Sequence, residues 1–210
     1  MPVTDRTSSP QPLYQRDQYA KGGLGRLYWD YRDRIALSHI QSDDRRIIDL
    51  GCGEGITLEK LLRAFPSNDI LGLDLLEENI AICRRHGLPV CQADAGHLDL
   101  PDGAADAVLF MEVIEHLDHP EAVLAEIRRI LKPRGKLIVV YPNDGFFKLA
   151  RILTLRFTEA RFDPGHVKQW TPRSMAICLR ESGFEVAKTR CIPFGFWPVC
   201  LHGVICARKG

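Results

Sequence analysis

The stretch Ile47-Ile48-Asp49-Leu50-Gly51-Cys52-Gly53-Glu54-Gly55 constrains this chain more than any other. Apolar, β-favouring residues run into three alternate glycines, and the amphipathic run from Ile56 to Phe65 follows at once. The spacing predicts strand, glycine turn, helix. A turn without Cβ atoms lets backbone approach a ligand closely, and the helix start behind it offers unpaired N–H groups. In an open α/β sheet, ligands bind at such a place, beyond the carboxyl ends of the strands. A second apolar run, Ile70-Leu71-Gly72-Leu73, ends in Asp74, 19 residues after Gly55. A carboxylate at about that distance suits the hydroxyls of a ribose.

The glycine spacing narrows the ligand. A dinucleotide fingerprint reads G-x-G-x-x-G and receives a pyrophosphate. Here the order is Gly51-x-Gly53-x-Gly55, with Glu54 in the turn. An acid at this point is expected to repel a phosphate and to tolerate a ligand with a positive centre. In these residues the chain resembles the class I S-adenosylmethionine (SAM)-dependent methyltransferases, whose first motif is D-x-G-x-G-x-G. The resemblance spans roughly residues 45–208 and is closest to the ubiquinone-pathway O-methyltransferase subgroup. It implies SAM as cofactor, with Gly51 and Gly53 against its aminoacyl part, Asp74 on the ribose, Asp94 on the adenine amino group and Met111 on the adenosine. Read from sequence alone, Asp74 and Asp94 serve equally as turn or cap residues, and Met111 as core.

Around that centre, strands alternate with helices, the pattern of βαβ units and a parallel, doubly wound sheet. Strands are expected at 46–50, 70–74, 89–93, 105–111 and 136–141, with helices at 56–65, 77–86 and 120–131. A helix at 172–182 should begin after Thr171-Pro172, a cap followed by proline at the first helical position. Two last strands fall near 185–191 and 200–208. The resemblance implies seven strands in a Rossmann-like methyltransferase fold, with an antiparallel last strand. Residues 1–12 are polar and proline-bearing, unlike a signal peptide, and are expected to be disordered. Residues 13–210 are expected to form one domain, with a helical cover at 13–42, the core at 45–208 and an acceptor insertion at 142–172. Arg32 and Arg34 lie on the cover; the resemblance puts an arginine there at the cofactor carboxylate, and exposed helix arginines are the alternative.

Composition excludes more than it selects. The 45% hydrophobic and 26% charged fractions are those of an ordinary globular protein. A formal net charge of +1 gives no overall attraction to nucleic acid. Seven cysteines without a C-x-x-C match no zinc or disulfide framework. No apolar run is long enough to span a bilayer. A cytoplasmic protein is the expectation.

Chemistry on the acceptor side is read from two clusters. Glu112-Val113-Ile114-Glu115-His116 follows the fourth strand, and His166 precedes Trp170-Thr171. Ubiquinone-pathway O-methyltransferases carry E-x-x-E-H here. Small-RNA 2′-O-methyltransferases hold a divalent ion with that motif and a later His before W-T. The resemblance therefore offers Glu112, Glu115, His116 and His166 as ligands for Mg²⁺, Mn²⁺ or Zn²⁺. A metal-free reading makes His116 or His166 the base, with Glu115 beside it, and a structural reading makes them caps and loop anchors. Residues 144–157 form a basic amphipathic segment, suited to a membrane surface, a lipophilic substrate or a lid over the core. The expected function is methyl transfer from SAM to a small lipophilic or phenolic acceptor, through a hydroxyl oxygen. A metal-dependent RNA 2′-O-methyltransferase and a non-catalytic SAM-binding protein are the alternatives, and nucleic acid is the less favoured partner.

Overall fold

The computed structural model describes residues 15–146 and 167–210. Two helices come first, α1 (Gln15–Ala20) and α2 (Gly23–Leu37), parted where Gly22 takes a left-handed φ of 73°. Strands and helices then alternate: β1 (Arg46–Leu50), α3 (Ile56–Ala64), β2 (Asp69–Asp74), α4 (Glu77–Arg85) and β3 (Val90–Gln92). Next come β4 (Ala105–Met111), a 3₁₀ turn (Ile114–His116), α5 (Pro120–Ile130) and β5 (Leu131–Pro142). After 167–170 the chain forms α6 (Pro172–Glu181), β6 (Phe184–Ile192), a second 3₁₀ turn (Trp197–Val199) and β7 (His202–Lys209).

The strands form one seven-stranded sheet in the order β3-β2-β1-β4-β5-β7-β6. The first five are parallel; β7 runs antiparallel to both β5 and β6. Central strands are buried on both faces, which explains why Val108-Leu109-Phe110 and Ile138-Val139-Val140-Tyr141 are continuous apolar runs. Ile48, Val108, Phe110, Val139 and Tyr141 face α5 and α6, while Ile47, Ala107, Leu109, Met111, Ile138 and Val140 pack towards α2 and α3. Because side chains alternate along a strand, Asp49 shares the α2 face with Ile47.

Most predicted elements stand within a residue or two of their expected limits. Thr171 caps α6 as its sequence suggests: its Oγ1 accepts from Ser174 N–H at 3.1 Å while Ser174 Oγ accepts from Thr171 N–H at 2.9 Å. The start of β5 differs. Pro133 and Gly135 read as a turn before a strand at 136–141, yet pairing with β4 begins at Leu131 opposite Ala105 and resumes at Lys136 opposite Ala107. The residues between bulge out, with Arg134 at φ 61°, so turn chemistry sits inside a strand. Among the described residues no helix is long and apolar enough to cross a membrane.

Candidate active site

The glycine turn closes β1 against β2. Gly51 and Cys52 N–H both donate to Leu73 O, at 2.7 and 3.0 Å. Gly51, Gly53 and Gly55 take φ of 77°, 53° and 80°, a region that L side chains enter only with strain. Space is as tight as conformation: a Cβ on Gly51 would lie 2.2 Å from Val113 Cγ2, and one on Gly53 would lie 2.8 Å from Gln15 Oε1.

Asp74 ends β2 beside this turn and is buried. Its Oδ2 accepts from Gly53 N–H at 2.7 Å, and its Oδ1 accepts from Leu76 N–H and Asn79 Nδ2, both at 3.0 Å. A carboxylate has about four acceptor sites, so protein donors already fill most of those that two ribose hydroxyls would use. Asp94 lies past the end of the neighbouring β3, exposed, and its Oδ1 accepts from Gly96 N–H at 2.8 Å in an Asx turn. Met111 is the last residue of β4 and packs in the core on the α2 face.

Glu54 does not do what the sequence suggested. Its buried carboxylate turns away from the glycine turn and accepts from Gln15 N–H at 3.2 Å and Arg16 N–H at 2.7 Å. It satisfies the first free amides of α1 and complements the positive end of the helix. Arg16 completes the attachment through Glu54 O and Glu59 Oε1, both at 2.7 Å. The acid therefore straps α1 over the turn and does not select against phosphate there.

A second acid, Asp49 of β1, lies two residues before Gly51. It is 2% exposed, and its Oδ2 has no hydrogen-bond partner. Burial, reinforced by the carboxylates of Asp33 and Asp74, pushes its carboxyl up to about 7. A buried acceptor without a donor, beside a turn stripped of Cβ atoms, fits a ligand carrying an ammonium group. The first letter of the D-x-G-x-G-x-G motif was the available signal for it.

The acceptor-side residues divide. Glu112 directly follows β4 with φ 54°. Its Oε2 accepts from Arg32 Nη1, and its Oε1 pairs with His202 Nε2 at 2.6 Å. Burial alone would raise this carboxyl, but the Arg32 guanidinium and the His202 ring hold it well below the usual carboxylate range. Arg32, also bound to Asp33 Oδ1 at 2.9 Å, is thus engaged by two carboxylates, and Arg34 lies over the Tyr31 ring. Glu115 is buried in the 3₁₀ turn, where its carbonyl accepts from Val167 N–H at 2.8 Å and Lys168 N–H at 3.2 Å. His116 beside it is exposed. His166 and nearly all of the segment 144–157 lie outside the described residues. Among those described, Glu112, Glu115 and His116 do not gather into a group that could hold a metal ion, and no other three His, Cys, Asp or Glu do.

Two residues of this wall had no part in the sequence reading. Tyr28 Oη lies 2.6 Å from His202 Nδ1, with the two rings stacked at 5.6 Å between centroids.

Comparison with known proteins agrees with this geometry. A family model described as a methyltransferase domain matches residues 19–189. A probable S-adenosylmethionine-dependent methyltransferase of Mycolicibacterium smegmatis is 28% identical over 166 residues, 77% of this chain and 61% of its own length. A ubiquinone biosynthesis O-methyltransferase of Methylococcus capsulatus is 36% identical over 111 residues, 50% of this chain and 46% of its own length. The chain thus spans about half to three-fifths of these curated relatives. The crystal structure of a SAM-dependent methyltransferase from Archaeoglobus fulgidus superposes with a TM-score of 0.74 at 19% identity, over 95% of this chain and all of that one, which shows the shared fold.

Proposed function

This chain belongs to the methyltransferase-domain family, and from that premise we propose that it transfers a methyl group from SAM to a hydroxyl of a small lipophilic or phenolic acceptor. The observation that carries the cofactor half is Asp49, a buried carboxyl whose Oδ2 has no partner, beside a turn built on three left-handed glycines. When bound, SAM supplies a methyl group already activated by its sulfonium centre. The protein's work is to hold the acceptor oxygen in line with that methyl and to remove its proton. In this reading Gly51 and Gly53 admit the aminoacyl part, Asp49 faces its ammonium, and Asp74 and Asp94 receive the ribose and adenine. Met111 lies against the adenosine. Glu115, His116 and His166 are the loop-side candidates for the proton.

The acceptor half is supported by the surface at the same edge of the sheet. Leu24 and Leu27 on α2 are 86% and 66% exposed, and Phe194 and Phe196, in the loop that leads into β7, are 70% and 65% exposed. Asn143, just past β5, pins that loop by donating from Nδ2 to Trp197 O at 2.6 Å and Cys200 O at 2.9 Å. Exposed side chains of this size suit an apolar partner, and a ubiquinone biosynthesis O-methyltransferase is among the relatives.

Two measurements test the reading. Calorimetric titration with S-adenosylhomocysteine should show one saturable site that Gly51→Ala weakens more than tenfold. Transfer of labelled methyl from SAM should then reach an alkylated catechol in preference to RNA 3′ ends. Label on RNA alone would replace the small acceptor with a polynucleotide.

A further inference from the structure

We propose that Tyr28, His202 and Glu112 form a proton relay for the acceptor hydroxyl, with Tyr28 Oη as the atom that receives the proton. The inference rests on the hydroxyl-acceptor reading above and deepens it.

Three distant pieces of chain meet to build the relay. Tyr28 comes from α2, Glu112 from the exit of β4, and His202 from the first residue of β7, opposite Pro142 at the end of β5. Because β7 is antiparallel to β5, its beginning reaches the same edge at which β1 and β4 deliver the glycine turn and Glu112. Tyr28 Oη to His202 Nδ1 and His202 Nε2 to Glu112 Oε1 both measure 2.6 Å. In the neutral ring these partners select one tautomer. An ionised Glu112 only accepts, so Nε2 carries the hydrogen, and Nδ1 is left to accept from the Tyr28 hydroxyl.

The arrangement has the logic of a nucleophile–His–carboxylate triad, with a phenol in the leading place. Arg32 and Tyr31 of α2 and Cys200 ahead of β7 also face Tyr28. Burial pushes the Tyr28 hydroxyl up, so at rest the phenol keeps its proton and serves to pass one on. Glu112, in turn, occupies a backbone region that side chains rarely adopt, and such strain concentrates at functional sites. Arg32 holds its second oxygen, which fixes the carboxylate behind the imidazole.

The step balances. As the acceptor oxygen forms its bond to the methyl carbon, the S–CH₃ bond breaks and its electron pair stays on sulfur, leaving a neutral thioether. The acceptor proton moves to Tyr28 Oη, and the proton of Tyr28 moves to His202 Nδ1. The imidazolium, held by Glu112, then loses its proton to water. Tyr28 is the catalytic residue of this relay; His202 and Glu112 position and support it.

The experiment uses two probe acceptors at about pH 8, where an alkyl catechol keeps its proton as ordinary phenols do and 4-nitrocatechol is already ionised. Release of S-adenosylhomocysteine is measured for the natural protein, Tyr28→Phe, His202→Asn and His116→Ala. A relay predicts that the rate ratio, 4-tert-butylcatechol over 4-nitrocatechol, falls about 100-fold in Tyr28→Phe and His202→Asn, the size of a general-base contribution. A loop-side base predicts instead that the ratio falls in His116→Ala and holds in Tyr28→Phe. Equal loss on both catechols, or a ratio that falls in His116→Ala alone, would overturn it. A readout free of turnover is the absorbance of 4-nitrocatechol bound beside S-adenosylhomocysteine. Its ionisation midpoint should rise in Tyr28→Phe, and an unmoved midpoint would count against the relay. Natural protein that binds S-adenosylhomocysteine but methylates neither catechol would sink the relay and leave the cofactor site standing. Failure to bind S-adenosylhomocysteine would remove the cofactor reading and the relay with it. Melting curves and S-adenosylhomocysteine affinity show that each variant is folded.

Discussion

The two walls of the cleft are built in opposite ways. The cofactor wall is mostly backbone: a run of five residues supplies the turn, and Asp49 and Asp74 stand at the ends of adjacent strands. The acceptor wall is made of side chains from far apart, with Tyr28 and His202 separated by 174 positions and Glu112 and His202 by 90. A wall of backbone tolerates few residue types but depends little on distant packing. A wall of paired charges tolerates conservative exchange poorly, because each member leaves a partner uncompensated.

The largest loss separates these two kinds directly. Glu112→Ala leaves the buried Arg32 without one of its two carboxylates; breaking a fully buried pair costs about 3–5 kcal/mol, and because the Glu112 side chain is 38% exposed the expected loss is about 2–3 kcal/mol. Urea unfolding should show that loss while S-adenosylhomocysteine affinity changes less than tenfold; an equal collapse of both would mean that the walls are one unit. Asp49→Asn should act with the opposite sign. The folded carboxyl titrates about 7 against an ordinary 3.8, so the folded state keeps a proton that the unfolded chain releases between those values. This group therefore removes stability as pH rises from about 4 to 7, by at most about 4 kcal/mol. The asparagine variant should be more stable than the natural protein at neutral pH and above, flatten that slope, and bind S-adenosylhomocysteine more weakly.

Gly51→Ala comes next. A left-handed alanine costs about 1–2 kcal/mol, and its Cβ would press on Val113. Adding Val113→Ala should recover the part due to the clash and none of the part due to φ; full recovery in the melting temperature would refute the conformational argument. Smallest is Glu54→Gln, which weakens the capping of α1 by about 1 kcal/mol or less. Proteolysis near Arg16 should accelerate with little change in global stability.

How much was legible follows the same division. The glycine turn, the strands on either side and the capping of α6 could be read because each is written in neighbouring residues. The direction of Glu54 was misread: a side chain in a turn has two sides, and the partner that decides between them, α1, is 38 positions away. The start of β5 was missed because Pro133 and Gly135 signal a turn whether it ends a strand or bulges within one. Neither Tyr28 nor His202 carries a local signal. Only the antiparallel placement of β7 brings the histidine to the cleft, and that is a property of the sheet rather than of any motif.

The position of β7 also sets the order in which a growing chain can assemble this cleft. Residue 51 leaves the ribosome about 150 residues before residue 202. At synthesis rates of about 5–20 residues per second, that interval is on the order of ten seconds. During it the glycine turn and its acids are already outside the ribosome, while Glu112 and Arg32 wait without the imidazole that hydrogen-bonds the second Glu112 oxygen. The glycine turn therefore precedes the acceptor wall in time as well as in sequence, and the strand that finishes that wall arrives after the other six of the sheet.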